Sequence, residues 1–453
     1  MDKDKYIAAI EIGSSKISGA VGRVRGSAPD RLEVLAVEVE HATDSVSHGL
    51  IQNVEDVGNR VGRIIGKLEK RINSDSTKRR IKRLFVGVEG RSLRNIKVEI
   101  SRNLPDDTEI TEMILSDMRE DARNYNIDAS LEVRDVIPNS YVVNKSETRN
   151  PVGICGNNIT ARYNLIVCRP LLHRHLTRVI RDKAGLGIAE FVITPIVLAH
   201  LVLSADEKRL GCMLVDMGAE TTTVSLYKDN RLVYLAVLPM GSRNITNDIT
   251  SLNVLEDKAE EMKTTSGSAM LSENQSNLNL SGVRMSDVAN LVAARSEELV
   301  ANIVEQISYA GMNDRQLPGG IVTAGGGFHL KSLPELLKES SGLSVRRATL
   351  PAYVSLEDTK ASAYDCLQLV AILSAGMTGT APECIEEELI SELPVNGTYV
   401  PEDPGHNEKE EGLKRKPKPG PSKMRGILSG IGKKFTGIFA PGPDDDDDDT
   451  DLN

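Results

Sequence analysis

The sequence is short of aromatic side chains and of paired cysteines. Among its 453 residues there is no tryptophan, and the three aromatic types together make up 3%. The five cysteines form no CxxC pair. We therefore expect neither a disulfide framework nor a structural zinc site, and we expect a reducing cytoplasm as the compartment. Because aromatic residues are few and the main part of the chain has no basic excess, a nucleic-acid role is not expected.

Long hydrophobic runs are also missing. The longest, at 191–205, is interrupted by Thr194, Pro195 and His200 and is shorter than the ~20 apolar residues that span a bilayer. The first five residues lead directly into the strand-like segment 6–10, so we expect no signal peptide. The sequence thus predicts a protein without a membrane-spanning helix.

Charge is unevenly distributed along the chain. The net charge is −10, but residues 381–412 hold ten acids and one lysine, 413–440 hold eight basic residues and no acid, and 441–453 hold seven aspartates. The first 380 residues are therefore close to neutral. Periodicity disappears after residue 380 and Glu, Pro and Gly dominate, which predicts a disordered linker over 381–422.

Strand-like and helix-like segments alternate over the first 380 residues. Short apolar runs at 34–37 and 83–88 are typical of strands. The segment 54–72 carries apolar side chains at 54, 57, 61, 64, 65, 68 and 72, which is the spacing of a helix with one buried face. This alternation predicts an α/β fold. The polar interval 264–281 is expected to be a surface insertion.

Two glycine turns, far apart in the chain, resemble each other. The first lies in 10–21, IEIGSSKISGAV, and the second in 215–226, VDMGAETTTVSL. In each, a hydrophobic strand reaches an acid, turns at a glycine followed by hydroxyl side chains, and continues as a second strand. Glycine lets successive backbone N–H groups converge on phosphate oxygens, and the hydroxyls add donors. Two such turns facing each other could hold one nucleoside triphosphate.

A magnesium-bound nucleotide would give these turn residues distinct roles. Glu11 and Asp216 are candidates for holding Mg²⁺ through water, because this ion keeps much of its aqueous shell. Lys16 offers a positive charge to the β- and γ-phosphates. A single turn of this kind also occurs in ordinary β-hairpins. The presence of two such turns is therefore what favours phosphate binding. The candidate phosphate-binding residues are Gly13, Ser14, Ser15, Lys16, Gly218, Thr221 and Thr222.

A third glycine-rich turn supports a nucleotide site. In 319–328, GGIVTAGGGF, a strand opens onto Gly325, Gly326 and Gly327 and then onto a helix. Three glycines allow close approach of the backbone to a ribose or an α-phosphate, although this segment alone would be a tight strand–helix turn. The sequence has no GxxxxGKS/T loop and no GxGxxG between a strand and a helix.

The paired turns and the triple glycine, in this order, resemble the superfamily of actin, heat-shock chaperones and sugar kinases, and most closely its FtsA family of bacterial cell-division proteins. The segment 238–249 is similar to the stretch after that family's second phosphate loop. The resemblance implies a two-lobed actin-like ATPase fold with an inserted small α/β subdomain, and ATP with Mg²⁺ as cofactors. It assigns Glu260 and Lys263, which share one helical face, to the adenosine; a surface ion pair is the alternative.

The resemblance covers nearly the whole chain and implies its division into domains. The inserted subdomain is expected to serve self-assembly and partner contacts. The predicted bounds are 1–83 with 168–206 and 355–380 for the first lobe, 84–167 for the insert, 207–354 for the second lobe with 241–304 as its outer part, 381–422 for the linker, 423–440 for an amphipathic helix and 441–453 for an acidic tail.

The sequence departs from the family at two places. Ala219 and Glu220 stand where the second turn is usually glycine-rich, and the Glu220 carboxylate would lie unfavourably close to phosphates unless Mg²⁺ or Lys16 compensates. No glutamine or glutamate that could activate water occurs in 194–205, where such a residue would be sought. We therefore expect nucleotide binding with at most slow hydrolysis.

The segment 423–439, KMRGILSGIGKKFTGIF, has the pattern of an amphipathic membrane helix. Its apolar side chains fall within an arc of about 120° on a helical wheel, and basic residues at the edges can reach anionic headgroups. Its four glycines predict that it folds on the membrane rather than in water. The alternative is a terminal helix docked on the protein body. The predicted membrane-contacting residues are Met424, Ile427, Leu428, Ile431, Phe435, Ile438 and Phe439, with Lys423, Arg425, Lys433 and Lys434.

These features favour one function over two alternatives. The resemblance implies a filament-forming adaptor on the cytoplasmic face of the membrane at the division septum, which tethers the tubulin-like protein FtsZ and recruits later septal proteins. A small-molecule kinase of the sugar-kinase type is the alternative, but it leaves the amphipathic segment unexplained. A chaperone would need a peptide-binding β-domain after the ATPase. The hexa-aspartate run 444–449 is either a solubilising end or a regulator of membrane attachment.

Overall fold

The computed structural model describes most of the chain up to residue 389. The described ranges are 4–42, 44–74, 77–271, 279–280, 282–378 and 380–389. The amphipathic segment 423–440, the acidic tail and most of the predicted linker lie outside these residues, as do 272–278 and 281 of the predicted surface insertion. The expectations for those segments stay predictions.

Strands and helices alternate through the described residues, which confirms the α/β fold. The strands are β1 Lys5–Ile12, β2 Lys16–Arg25, β3 Ala28–His41, β4 Val46–Ser47, β5 Leu50–Ile51, β6 Thr77–Ile81, β7 Arg83–Val88, β8 Arg94–Glu109, β9 Glu132–Val143, β10 Ser146–Thr148, β11 Cys155–Cys168, β12 Gly187–Ile193, β13 Cys212–Met217, β14 Thr222–Lys228, β15 Arg231–Leu238, β16 Asn279–Leu280, β17 Val283–Arg284, β18 Ile321–Ala324, β19 Val345–Arg347, β20 Val354–Leu356 and β21 Ile385–Leu389. The α-helices are α1 Val54–Ile72, α2 Glu112–Arg123, α3 Pro170–Thr177, α4 Thr194–Val202, α5 Ala205–Leu210, α6 Ser242–Thr250, α7 Glu256–Ser266, α8 Met285–Tyr309, α9 Leu333–Ser341 and α10 Leu367–Ala375.

The first sheet has the strand order β12-β7-β1-β2-β3-β20 and carries a helix on each face. A Cβ at Gly19 of β2 would lie against Ile64 of α1, whereas a Cβ at Gly22 would meet Leu373 of α10. Because residues three apart on a strand point to opposite faces, α1 and α10 cover opposite sides of the sheet. The sheet is therefore the buried middle layer of this part of the molecule.

The helix predicted over 54–72 forms as α1 with these bounds. Its N-cap is Asn53, whose side chain accepts the Asp56 N–H at 3.0 Å. The predicted apolar positions from 57 to 72 are buried, and Val54 at the first turn is half-buried. The period of the apolar residues therefore identified the buried face correctly.

The second sheet has nine strands in the order β10-β9-β11-β8-β15-β14-β13-β18-β19. The strands β8 to β11 belong to the inserted subdomain, which packs α2 on a core of its own that includes Met118, Tyr163 and Leu165. One bridge, between Arg94 of β8 and Ala236 of β15, joins this part of the sheet to the rest.

Residues 84–88, which the sequence grouped with the insert, belong to the first sheet instead. They lie in β7, which pairs in parallel with both β1 and β12. The apolar run 84–88 is fully buried there, because a parallel strand in the middle of a sheet is covered on both faces. The inserted subdomain therefore begins after Val88.

Part of the predicted linker is ordered as well. The strand β21, at 385–389, pairs antiparallel with β6, whose sequence is rich in basic residues. Glu387 Oε1 lies 2.7 Å from Arg79 Nε, and Glu386 Oε2 lies 3.1 Å from Lys82 Nζ. The expectation of disorder is wrong here because the glutamates pair with cations across the strands.

Candidate functional site

The two predicted glycine turns form with the same hydrogen-bonding arrangement. In the β1–β2 turn the Gly13 N–H donates to the Lys16 carbonyl at 2.9 Å. In the β13–β14 turn the Gly218 N–H donates to the Thr221 carbonyl at 2.8 Å. Each turn is therefore a closed hairpin end that follows an acid-bearing strand, as the sequence predicted.

Both turns line one cavity of about 560 Å³, a size that suits a nucleotide. The third glycine turn and helix α7 also form part of its wall. The predicted residues that line this cavity are Glu11, Gly13, Ser14, Ser15, Lys16, Asp216, Gly218, Thr221, Glu260, Lys263, Gly325, Gly326 and Gly327.

Thr222 is the predicted phosphate-binding residue that does not line the cavity. Its side chain is fully buried, and its hydroxyl donates to the Met240 carbonyl at 2.8 Å. Thr222 begins strand β14, where successive side chains point to opposite faces, so Thr221 lines the cavity and Thr222 does not. The prediction for Thr222 is therefore wrong.

The triple-glycine turn also differs from the expectation of a helix start. The residues Gly326–His329 form a single 3₁₀ turn, and helix α9 begins only at Leu333. Gly325 has a φ of 85°, and a Cβ there would lie 2.4 Å from Asp216 Oδ1. Glycine is needed at this position because the backbone both adopts a left-handed conformation and passes beside the second acid.

Three of the acids that line the cavity lie close enough to interact electrostatically: Glu11, Glu89 and Asp216. Burial raises the pKa of Glu11, although Lys16 opposes this shift. Burial, with the charge of Asp216, raises the pKa of Glu89 to about 8. Burial likewise raises the pKa of Asp216 to about 7, against two hydrogen bonds of 2.8 and 2.9 Å from Gln368 Nε2.

This set of acids suits a hydrated divalent cation. Among the described residues, no three His, Cys, Asp or Glu side chains come close enough together to hold a bare metal ion. Mg²⁺ binds proteins with several of its waters retained, so Glu11 and Asp216 are suited to hold it through those waters. A cation there would also offset the repulsion between the carboxylates.

The charge of Glu220 is balanced by Arg243 rather than by Lys16. Arg243 Nη1 lies 2.5 Å from Glu220 Oε1, and the His48 N–H donates to Glu220 Oε2 at 2.6 Å. Lys16 Nζ instead donates to the Asp365 carbonyl at 3.1 Å. The glutamate in the second turn is thus compensated by protein groups, which removes the conflict that the sequence suggested.

Glu260 and Lys263 pair on helix α7, at the wall of the cavity. Lys263 Nζ lies 2.7 Å from Glu260 Oε2, and the Thr246 hydroxyl donates to the same oxygen at 2.6 Å. Lys263 is only 6% exposed, and burial lowers its pKa. The surface-pair alternative therefore does not describe Lys263, whereas adenosine binding by the pair stays a prediction.

Glu89, Gln368 and Arg243 are site residues that the sequence did not identify. Glu89 directly follows strand β7, so it carried the same signal as Glu11 and Asp216, an acid at a strand end. Gln368 and Arg243 reach the cavity from helices α10 and α6, and no local pattern marks them.

The paired hairpin turns around one cavity, on two helix-covered sheets, define an actin-like fold with an inserted small subdomain. Of the solved structures, the PilM–PilN type IV pilus biogenesis complex is similar, with a TM-score of 0.61 and 14% identity over 82% of this chain and 98% of that chain. The family model described as cell division protein FtsA matches residues 213–362, and that of the SHS2 domain inserted in FtsA matches 90–167.

Curated relatives agree with these family models. The cell division protein FtsA of Porphyromonas gingivalis is 30% identical over 350 residues, covering 74% of this chain and 71% of the relative. FtsA of Enterococcus hirae is 24% identical and covers 95% of this chain and 100% of the relative. The chain belongs to the FtsA family of cell-division proteins.

Proposed function

We propose that this protein binds Mg²⁺–ATP between its two hairpin turns and forms filaments as a peripheral adaptor of the division septum. In this role it tethers FtsZ to the cytoplasmic face of the membrane and recruits later division proteins. The observation that carries the proposal is that Glu11, Asp216, both glycine turns and the Glu260–Lys263 pair line a single cavity. Membership of the FtsA family supports the role in division.

Different residues of the cavity bind different parts of the nucleotide. The turn residues Ser14, Ser15 and Thr221 bind the phosphates, and Lys16 adds a positive charge. Glu11 and Asp216 hold the waters of Mg²⁺, which screens the phosphate charge. The triple glycine and helix α7 contact the adenosine.

Calorimetric titration with ATP in the presence of Mg²⁺ tests the nucleotide site. The substitution Asp216→Asn removes a carboxylate without changing the size of the side chain, so ATP affinity should fall about tenfold or more, which is about 1.4 kcal/mol. The matched control is Asp206→Asn, an exposed acid on α5 outside the cavity, and it should bind as the wild type does. Equal affinities of all three proteins would argue against the site.

Co-sedimentation with anionic vesicles tests the membrane role, which rests on sequence alone. The double substitution Ile431→Asp and Phe435→Asp places two charges in the predicted apolar stripe and should release the protein while leaving ATP binding intact. Ser429→Asp with Thr436→Asp adds the same charge outside the stripe and should release much less. If both variants sediment like the wild type, the anchor lies elsewhere.

A further inference from the structure

A second, smaller cavity of about 40 Å³ adjoins the nucleotide cavity. The two cavities share five lining residues, and these form the boundary between them. The remaining wall of the small cavity includes Gly49, Gly87 and Thr194. The shared residues are Glu11, Gly13, Ser14, Glu89 and Thr221. The small cavity therefore lies at the end of the site where the two hairpin turns meet.

Thr194, the first residue of helix α4, brings an unpaired hydroxyl to this cavity. Its Oγ1 is buried, and it has no hydrogen-bond partner within the part of the chain that the structure describes. Gly87 makes room for it, because a Cβ at residue 87 would lie 2.8 Å from this oxygen. Burying a hydroxyl without a hydrogen bond costs free energy, so we expect a hydrogen-bonding ligand beside this atom in the cavity.

Glu89 provides the second polar group. Its carboxyl lines both cavities, and its Oε1 accepts a hydrogen bond from the Thr223 hydroxyl, which fixes the orientation of the side chain. A water molecule needs roughly 10–15 Å³ and two to four polar partners. The small cavity exceeds that volume, and Thr194 and Glu89 supply partners from two different elements.

We propose that Thr194 and Glu89 hold the water molecule that attacks the terminal phosphate of ATP, an inference that rests on the proposed nucleotide binding. The water oxygen bonds to the terminal phosphorus while the bond from that phosphorus to the bridging oxygen breaks. The products are ADP and inorganic phosphate, and both protons of the water leave on the phosphate, as H₂PO₄⁻. Glu89 accepts a hydrogen bond from the water, and the Thr194 hydroxyl makes a second one.

This assignment accounts for the lack, in 194–205, of a glutamine or glutamate that could activate the attacking water. The carboxylate comes from the end of β7 instead, and helix α4 contributes a hydroxyl at its first residue. Thr194 begins helix α4 and Glu89 directly follows strand β7, so both groups are held next to regular elements, which suits the positioning of a reacting atom.

Single-turnover hydrolysis of ATP, measured together with calorimetric affinity, tests the inference. Thr194→Val replaces the hydroxyl with a methyl group, and Glu89→Gln replaces one carboxyl oxygen of Glu89 with an NH₂ group; each should slow hydrolysis about tenfold or more. ATP affinity should change less than about twofold, because neither group is assigned to the phosphates. Thr194→Ser, which keeps the hydroxyl, should recover most of the rate.

A matched control separates positioning from folding. Tyr227→Phe removes another buried hydroxyl without a partner among the described residues, at the far end of β14 from the turn, and should alter neither rate nor affinity. Because Thr194 Oγ1 bonds to no described group, Thr194→Val should not lower the midpoint of thermal unfolding either.

The outcomes distinguish this inference from the proposed function. Wild-type hydrolysis rates in both Thr194→Val and Glu89→Gln would overturn the inference and leave ATP binding standing. The same holds if the wild type binds ATP but never hydrolyses it. If the wild type binds no ATP, both the proposed function and this inference fail.

Discussion

Glu89 and Asp216 make the stability of the nucleotide-free protein depend on pH. Burial raises their pKa values to about 8 and about 7, whereas both ionise near pH 4 in an unfolded chain. The folded state therefore binds more protons than the unfolded state between these limits. The contribution of these two protonated carboxyl groups to the free energy of unfolding is present in acid. It is lost as the pH rises through 7 and 8. The free energy of unfolding should fall from pH 6 to pH 8.

Urea unfolding at the two pH values measures this dependence. Glu89→Gln abolishes the titration of residue 89, so this variant should lose less stability between pH 6 and pH 8 than the wild type does. Glu305→Gln, at an exposed position of helix α8, should keep the wild-type dependence. An identical pH dependence in all three proteins would contradict the burial of Glu89.

The residues of the site differ in how well the sequence can identify them. Glu11 and Asp216 stand out because each ends a hydrophobic strand before a glycine turn. Glu89 has the first half of this signal but is followed by the insert rather than by a hairpin. Gln368 lies in an apolar helix, and its bonds to Asp216 depend on how α10 packs against the first sheet. Contacts of this kind, between elements distant in the chain, produce no periodic pattern in the sequence.

At the scale of elements, the β6–β21 pair should depend on its charges. Arg79 donates to Glu387 and to the Ile72 carbonyl, each at 2.7 Å, and its guanidinium lies 4.8 Å from the centre of the Tyr6 ring. The Glu387→Ala substitution should lower the free energy of unfolding by about 1 kcal/mol, because it leaves a partly buried arginine with fewer partners.

A double-mutant cycle with Arg79→Ala isolates the pair, and the expected coupling energy is about 0.5–1 kcal/mol by urea unfolding. Glu388→Ala, an exposed neighbour on the same strand, should change stability by less than about 0.5 kcal/mol. A coupling energy near zero would show that backbone pairing alone holds β21.

Helices and strands could be predicted from the sequence where only one of their faces is buried. They were missed or assigned to the wrong sheet where ion pairs, or burial of both faces, determine the structure. Helix α1 follows from its apolar period, and its bounds agree with the prediction. Strand β21 was missed because a run of glutamates has no apolar face, and only the basic sequence of β6 explains it. Strand β7 was recognised as a strand but assigned to the insert, because an evenly apolar run does not reveal which sheet contains it.

At the scale of the whole molecule, Arg243 bridges the two hairpin turns across the cavity. Arg243 bonds Glu220 of the second turn and donates through Nη2 to the Ser14 carbonyl of the first turn at 3.4 Å. Glu220 in turn accepts the His48 N–H, and the Ser14 hydroxyl accepts the Gly49 N–H at 3.1 Å. The sequence predicted that the turns face each other, but it gave no sign of this connection because its members come from four separate segments.

Arg243→Ala should therefore loosen the contact between the turns. Without Arg243, Glu220 loses its cation and holds the His48 N–H less firmly, so hydrogen exchange of the His48 amide should quicken about tenfold, which is about 1.4 kcal/mol of local stability. The matched control is Arg295→Ala, which breaks a pair with Asp248 of 2.6 Å between α8 and α6 and does not cross the cavity. Exchange at His48 should stay at the wild-type rate in that control. Equal exchange rates in the two variants would mean that backbone packing, rather than Arg243, keeps the turns together.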